Sequence, residues 1–177
     1  PCRIAARPEV DKTRVGLAGH SQAGWIMPLA ATREPAIRYL VVFAGPAATS
    51  GEVDLYQNLT EEGKRAPTLT PDQIDARVDA AGPSGVDPMI WIRQLRIPSL
   101  WVYGGLDQHI PTRLSVERLA TLEQRPGANR TVEVFANANH ALVETQTGLT
   151  SEMLRSNTFA PGMFDRVGAW LAAHGLG

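Results

Sequence analysis

Short apolar runs alternate with longer amphipathic stretches along the 177 residues. That alternation predicts strand–helix–strand units and a parallel sheet. Four strands are expected: Arg14 to Ala18, Tyr39 to Ala44, Ser99 to Tyr103 and Thr131 to Phe135. The second and third are nearly unbroken apolar runs, the mark of parallel strands covered on both faces. The fourth alternates, with Glu133 between two valines, which places it nearer an edge or gives it a wetter face.

Helices are expected between the strands. The first runs from Gln22 to about Thr32 and contains Pro28, which lacks a backbone donor and predicts a local kink. Thr70-Pro71-Asp72 opens another, with an N-cap hydroxyl followed by proline at the first helical position. Asp87-Pro88 repeats that signal before Met89 to Leu95, and Pro111 to Arg125 forms a helix that Pro126-Gly127 stops. In the last, from Pro161 to His174, the residues Met163, Phe164, Val167, Trp170 and Leu171 make one apolar stripe suited to docking on a core. Gly175 supplies its stop. Residues 46–94 are too long for a simple crossover, with short helices broken at Gly63, Pro67 and Gly82-Pro83. Such an insertion within a compact domain reads as a cap or lid.

Composition narrows the classes. An apolar fraction of 44% and a charged fraction of 20% are those of an ordinary globular protein. Seventeen basic against eighteen acidic residues leave a net charge of −1, which argues against a nucleic-acid binder or a polybasic membrane module. Cys2 is the only cysteine, so neither an intrachain disulfide nor a thiolate metal cluster is available. No apolar run approaches the roughly 18 residues of a membrane span. There is no signal-peptide pattern, but the chain begins with Pro1 rather than Met, so no compartment follows.

The chemistry centres on Gly19-His20-Ser21-Gln22-Ala23-Gly24, between the first strand and its helix. A tight strand-to-helix turn pushes a serine hydroxyl outward, and small neighbours let the backbone approach closely. The second glycine of the usual pentapeptide is Ala23 here, with Gly24 next. A serine hydroxyl needs a base, and there are four histidines. His20 adjoins Ser21 and is expected to point away across the turn. His109 is a loop residue on the surface or a pocket rim, and His174 complements the dipole at a helix end. His140 stands in the loop just past the fourth strand, where catalytic groups of open α/β sheets collect. Asp107, on the glycine turn after the third strand, is either a turn-former or the acid that orients the base. Ser21, Asp107 and His140 fall at the carboxyl ends of the first, third and fourth expected strands or in the loops just after them.

With those residues in place the sequence resembles the α/β-hydrolases, close to the esterases and to serine aminopeptidase-like or acylaminoacyl-peptidase-like members. The resembling segments are Gly19 to Ile26, Tyr103-Gly104-Gly105-Leu106-Asp107 with Ile110-Pro111, Ala138-Asn139-His140, and Phe159 to Gly162 leading into the last helix. The resemblance implies an α/β, three-layer sandwich around a mostly parallel sheet. It also implies acyl transfer to water: Ser21 as nucleophile, His140 as base, Asp107 orienting it, and the backbone N–H of Gln22 in the oxyanion hole. The substrate would be a small-molecule ester or amide, with no cofactor and no metal. Tentative pocket residues are His20, Trp25, Tyr56, Met89 and Trp91. For the apolar members of the insertion, Leu55, Tyr56, Leu59, Met89 and Trp91, the competing reading is the cap's own core.

Family members carry several strands before the elbow, whereas here the elbow strand begins at about Thr13. The expectation is therefore the C-terminal portion of a larger domain, residues 1–177, lacking one oxyanion donor. Its first strand would be an open apolar edge that pairs with a missing N-terminal segment or with another copy. The competing class is a non-catalytic module that binds a partner through that edge. A dehalogenase would want a carboxylate at Ser21, and metal-dependent hydrolysis would want clustered histidines.

Overall fold

The computed structural model describes residues 4–122, 129–153, 155 and 158–176. Its framework is a four-stranded parallel sheet in the order β1-β2-β3-β4. The strands are β1 (Gly16–His20), β2 (Tyr39–Phe43), β3 (Ser99–Gly104) and β4 (Arg130–Phe135). Strand β1 starts two residues later than its apolar run suggested and ends directly at Ser21. All six residues of β3 are buried, whereas none of β4 is fully buried. Interior strands are apolar throughout, and the edge strand alternates.

Seven helices lie among the described residues: α1 (Ala23–Arg33), α2 (Ser50–Thr60), α3 (Pro71–Ala81), α4 (Met89–Ile92), α5 (Thr112–Ala120), α6 (Thr150–Met153) and α7 (Met163–Ala173). Helix α1 runs through Pro28. Helix α5 ends at Ala120 with Thr121 as its cap, short of the expected Arg125; Pro126-Gly127, like Cys2, lies outside the described residues. Both long helices of the 46–94 segment begin with reciprocal caps. Thr49 pairs with Glu52 at the start of α2, and Thr70 with Gln73 at the start of α3. Each cap satisfies two orphan donors of a first turn.

The pleat of the sheet sorts its side chains into two cores. Leu40, Val42, Trp101 and Tyr103 pack on one face with Met27 of α1, Met89 and Ile92 of α4 and Leu119 of α5. Val41, Leu100 and Val102 pack on the other with Met163 and Trp170 of α7. The result is three layers with the sheet in the middle. One member of the predicted stripe departs from it: Phe164 is 59% exposed and meets Phe159 edge-on at 5.1 Å. It sits one residue from Met163, so a 100° step around the helix carries it off the buried line.

The loop after β2 is clamped to α5. Tyr103 donates its hydroxyl to Gly45 O at 2.8 Å, and Ala47 N–H donates to Ser115 Oγ at 3.2 Å. Buried Glu52 accepts from Arg118 at 2.6 Å. This clamp fixes the backbone against which the serine turn is built.

Candidate active site

Parallel strands end on the same side, so the segments after β1, β3 and β4 converge. Ser21 follows β1 with φ +58°, a left-handed conformation strained for a residue with a Cβ. Its N–H donates to Phe43 O at 2.9 Å, extending the β1–β2 ladder by one bond. Two glycines make the turn possible. A Cβ at Gly24 would lie 2.5 Å from Pro46 N and 2.6 Å from Gly45 C, so helix and loop meet backbone to backbone. A Cβ at Gly19 would lie 2.7 Å from the methyl of Ala23, so the alanine fits because position 19 has no side chain.

Asp107, in the turn after β3, is 3% exposed. Its Oδ1 accepts the N–H groups of His109 and Ile110 at 2.7 and 2.9 Å. Its Oδ2 lies 2.8 Å from His140 Nδ1. A carboxylate only accepts, so Nδ1 carries the hydrogen and Nε2 is the free lone pair of a neutral imidazole. That Nε2 lies 3.1 Å from Ser21 Oγ. The loop holding His140 turns on Asn139, fully buried, whose Oδ1 accepts from Ala141 and Val143 N–H at 3.0 and 3.2 Å.

The other predicted site residues divide. Gln22 occupies the N-cap of α1, beside a cavity of about 140 Å³ whose walls include Ser21, Gln22, Trp25, Val53, Gln57 and Ile110. Trp25 is held there by its indole N–H to Ala48 O at 3.0 Å. Met89 belongs instead to the core, 2% exposed among Ile92, Leu95 and Trp101. Trp91 shares the same short helix α4 and is not a wall of that cavity. Apolar pockets and apolar cores use the same residue types, so their sequences look alike. Tyr56 lines a second cavity rather than this one; its hydroxyl donates to Asp107 O at 2.7 Å, and burial raises its pKa far above the usual phenol.

Tyr56 is one of three α2 side chains that hold the Asp107 loop. Gln57 Nε2 donates to His109 O at 3.2 Å, and Thr60 Oγ1 to Gln108 O at 2.5 Å. Their spacing along one helix face was the available signal. A larger cavity of about 350 Å³ lies on this side of Asp107, between Tyr56, Thr60, Ile74 and Arg113.

Two further histidines of the region meet His140, which their sequence positions did not show. His20 turns onto His140, donating to its carbonyl oxygen at 2.7 Å, with ring centroids 4.6 Å apart. His109 stacks on the His140 ring at 4.6 Å and 30°. His174 has the structural place expected of it, at the end of α7 with Nδ1 2.8 Å from Trp170 O. Among the described residues there is no group of three or more His, Cys, Asp or Glu placed to hold a metal ion. No described helix is long and apolar enough to cross a membrane.

No family model matches the sequence, and no curated protein matches it. Solved structures do match. A Klebsiella pneumoniae protein assigned as a dienelactone hydrolase superposes with a TM-score of 0.58 at 20% identity, over 95% of this chain and 54% of that one. A Pyrococcus furiosus esterase gives 0.55 at 13% identity, over 90% and 53%. The acylaminoacyl peptidase of Pyrococcus horikoshii gives 0.54 at 14% identity, over 77% and 21%. The chain has the α/β-hydrolase fold. It spans about half or less of the length of each of these structures. Within that fold, Ser21 occupies the strand-to-helix turn, and the loops after β3 and β4 carry Asp107 and His140.

Proposed function

We propose that this chain is a serine hydrolase acting on carboxylic esters through an acyl-enzyme, with amides and thioesters within reach of the same chemistry. One observation carries the reading: Nε2 of His140 is 3.1 Å from Ser21 Oγ while Nδ1 is 2.8 Å from a buried Asp107 carboxylate. In the first half-reaction Ser21 Oγ bonds to the carbonyl carbon and its proton passes to His140 Nε2. The bond to the leaving alkoxide breaks, and His140 delivers the proton to it. In the second, water gives its proton to His140 and attacks the ester carbon. Ser21 leaves, and takes the proton back.

Asp107 holds Nδ1–H and stabilises the imidazolium between these transfers. The backbone N–H of Gln22, at the N-cap of α1, supports the developing oxyanion together with the helix dipole. The cavity beside Ser21, about 140 Å³, favours a short acyl group, with Trp25 as one wall. The part of the 46–94 segment that serves as a cap is α2, which holds the Asp107 loop, while α4 packs in the core.

The test is labelling of Ser21 by a fluorophosphonate probe, in which the serine displaces fluoride at phosphorus. Labelling is expected in the wild-type chain and absent in Ser21→Ala; labelling that persists in that variant refutes the assignment. Hydrolysis of p-nitrophenyl acetate in preference to the octanoate, unaffected by a chelator, is expected from the small cavity and the serine chemistry.

A further inference from the structure

Two in-plane hydrogen bonds do not fully orient a ring. The contacts of His140 with Asp107 and Ser21 lie along its Nδ1–Nε2 direction, and neither stops the imidazole from rolling about that line. Contacts on the ring itself are needed, and the structure supplies two, from different parts of the chain. We infer that His20 and His109 are positioning residues for the base, fixing the plane in which His140 faces Ser21.

The inference rests on the hydrolase reading given above. His20 is the last residue of β1, next to the nucleophile, and its donated bond to the His140 carbonyl, 2.7 Å, ties the serine turn directly to the loop of the base. Its ring also meets that of His140 at 57°. His109 belongs to the acid loop. Its own N–H is held by Asp107 Oδ1 at 2.7 Å and its carbonyl by Gln57 at 3.2 Å, so its backbone is pinned on both sides and its ring is presented face-on to His140. Thus the strand of the nucleophile and the loop of the acid each place an imidazole 4.6 Å from the base.

Charge is compatible with this role. His140 becomes a cation when it accepts the serine proton, and a charged neighbour at that distance would oppose it. Burial lowers the pKa of His20, and the charge of His140 lowers it further, against the hydrogen bond to the His140 carbonyl and the charge of Asp107. Burial also lowers that of His109, again assisted by His140, with Asp107 and Glu62 acting upward and Lys64 downward. Both rings therefore remain neutral at neutral pH while the base changes charge between them and Asp107.

The experiment measures fluorophosphonate labelling of Ser21 in the full chain, with probe concentration varied to separate binding from the bonding step. His109→Ala and His20→Ala are expected to slow the limiting rate about 10-fold, with half-saturation unchanged, because a misplaced base loses alignment rather than affinity. His109→Phe keeps a ring face and His20→Gln keeps a donor; both are expected to label within about threefold of wild type on the same alignment argument. His109→Arg puts a permanent charge against the base and is expected to move the acid limb of the rate profile down by about one pH unit.

Alanine variants that label at the wild-type rate overturn the inference and leave the hydrolase reading standing. So does an equal loss in the alanine and the conservative variants with no shift of the acid limb. A wild-type chain that does not label at Ser21 defeats the hydrolase reading itself, and this inference with it.

Discussion

Asp107 divides its carboxylate between two tasks, with Oδ2 2.8 Å from His140 Nδ1 and Oδ1 accepting the N–H groups of His109 and Ile110. Asp107 is thus locked to its own loop by one oxygen and to His140 by the other. Asp107→Asn can keep the loop contacts through its amide oxygen, but it presents an NH₂ group where Nδ1–H needs an acceptor. The imidazole then switches tautomer and loses its free lone pair toward Ser21. Labelling of Ser21 is expected to fall by about 10⁴, the scale of the same change in the serine-protease triad, with little change in the melting temperature.

Tyr56→Phe removes the hydroxyl that donates to Asp107 O and strands a part-buried carbonyl. A loss of about 1–2 kcal/mol is expected, read by denaturant melts. Ser21 labelling should slow several-fold with it, because the acid loop loosens. Unchanged labelling would show that the Tyr56 contact does not support the site.

Gly24→Ala forces a methyl to within 2.5 Å of Pro46 N and 2.6 Å of Gly45 C, both backbone atoms that cannot step aside like a side chain. Overpacking of this kind costs about 1–3 kcal/mol. At about 2–4 °C per kcal/mol for a chain of this size, the melting temperature should drop by several degrees. Ala23→Gly, in contrast, only removes the methyl that faces Gly19 and leaves the turn intact.

Arg118→Met leaves Glu52, 3% exposed, without its guanidinium partner at 2.6 Å. Removing one member of a buried pair costs about 3–5 kcal/mol. Because the Thr49 caps still hold Glu52, the lower end is expected. Replacing both, as in Glu52→Gln with Arg118→Met, should recover part of the loss in a double-mutant cycle.

Glu152 gives the pH dependence. Hydrogen bonds from Thr145, then from Thr147 and Gln146, lower its carboxyl from 4.5 to about 2. A folded-state pKa below the unfolded one means that the carboxylate stabilises the fold above about 4.5 and that this contribution fades as pH falls from there toward 2. Glu152→Gln is therefore expected to be less stable than wild type at pH 6 and to converge with it by pH 2, followed by thermal melts across that range.

What was legible in the sequence follows from what is local. Strands β2 and β3 declare themselves because an interior parallel strand is apolar at every position, and the Thr70 cap with Pro71 and Asp72 marks the start of α3 from three consecutive residues. The candidate triad was readable because parallel strands end on one side, so a serine, an aspartate and a histidine placed just after three of them must converge. Met89 was misplaced because an apolar residue in an insertion serves a pocket or a core equally well, and only the packing of α4 against α1 chooses. Tyr56 does line a cavity beside Asp107, but its second task was not legible: its hydroxyl reaches a carbonyl 51 residues away.

The sequence by itself determined the alternation of strand and helix, the serine turn with its small residues and the order of Ser21, Asp107 and His140, all of which depend on neighbours a few positions apart. Only the tertiary structure decided that His20 and His109 both lie against His140. Those contacts join residues 120 and 31 positions from His140, across loops whose approach is set by the sheet register and the α2 clamp. No local pattern encodes such a distance.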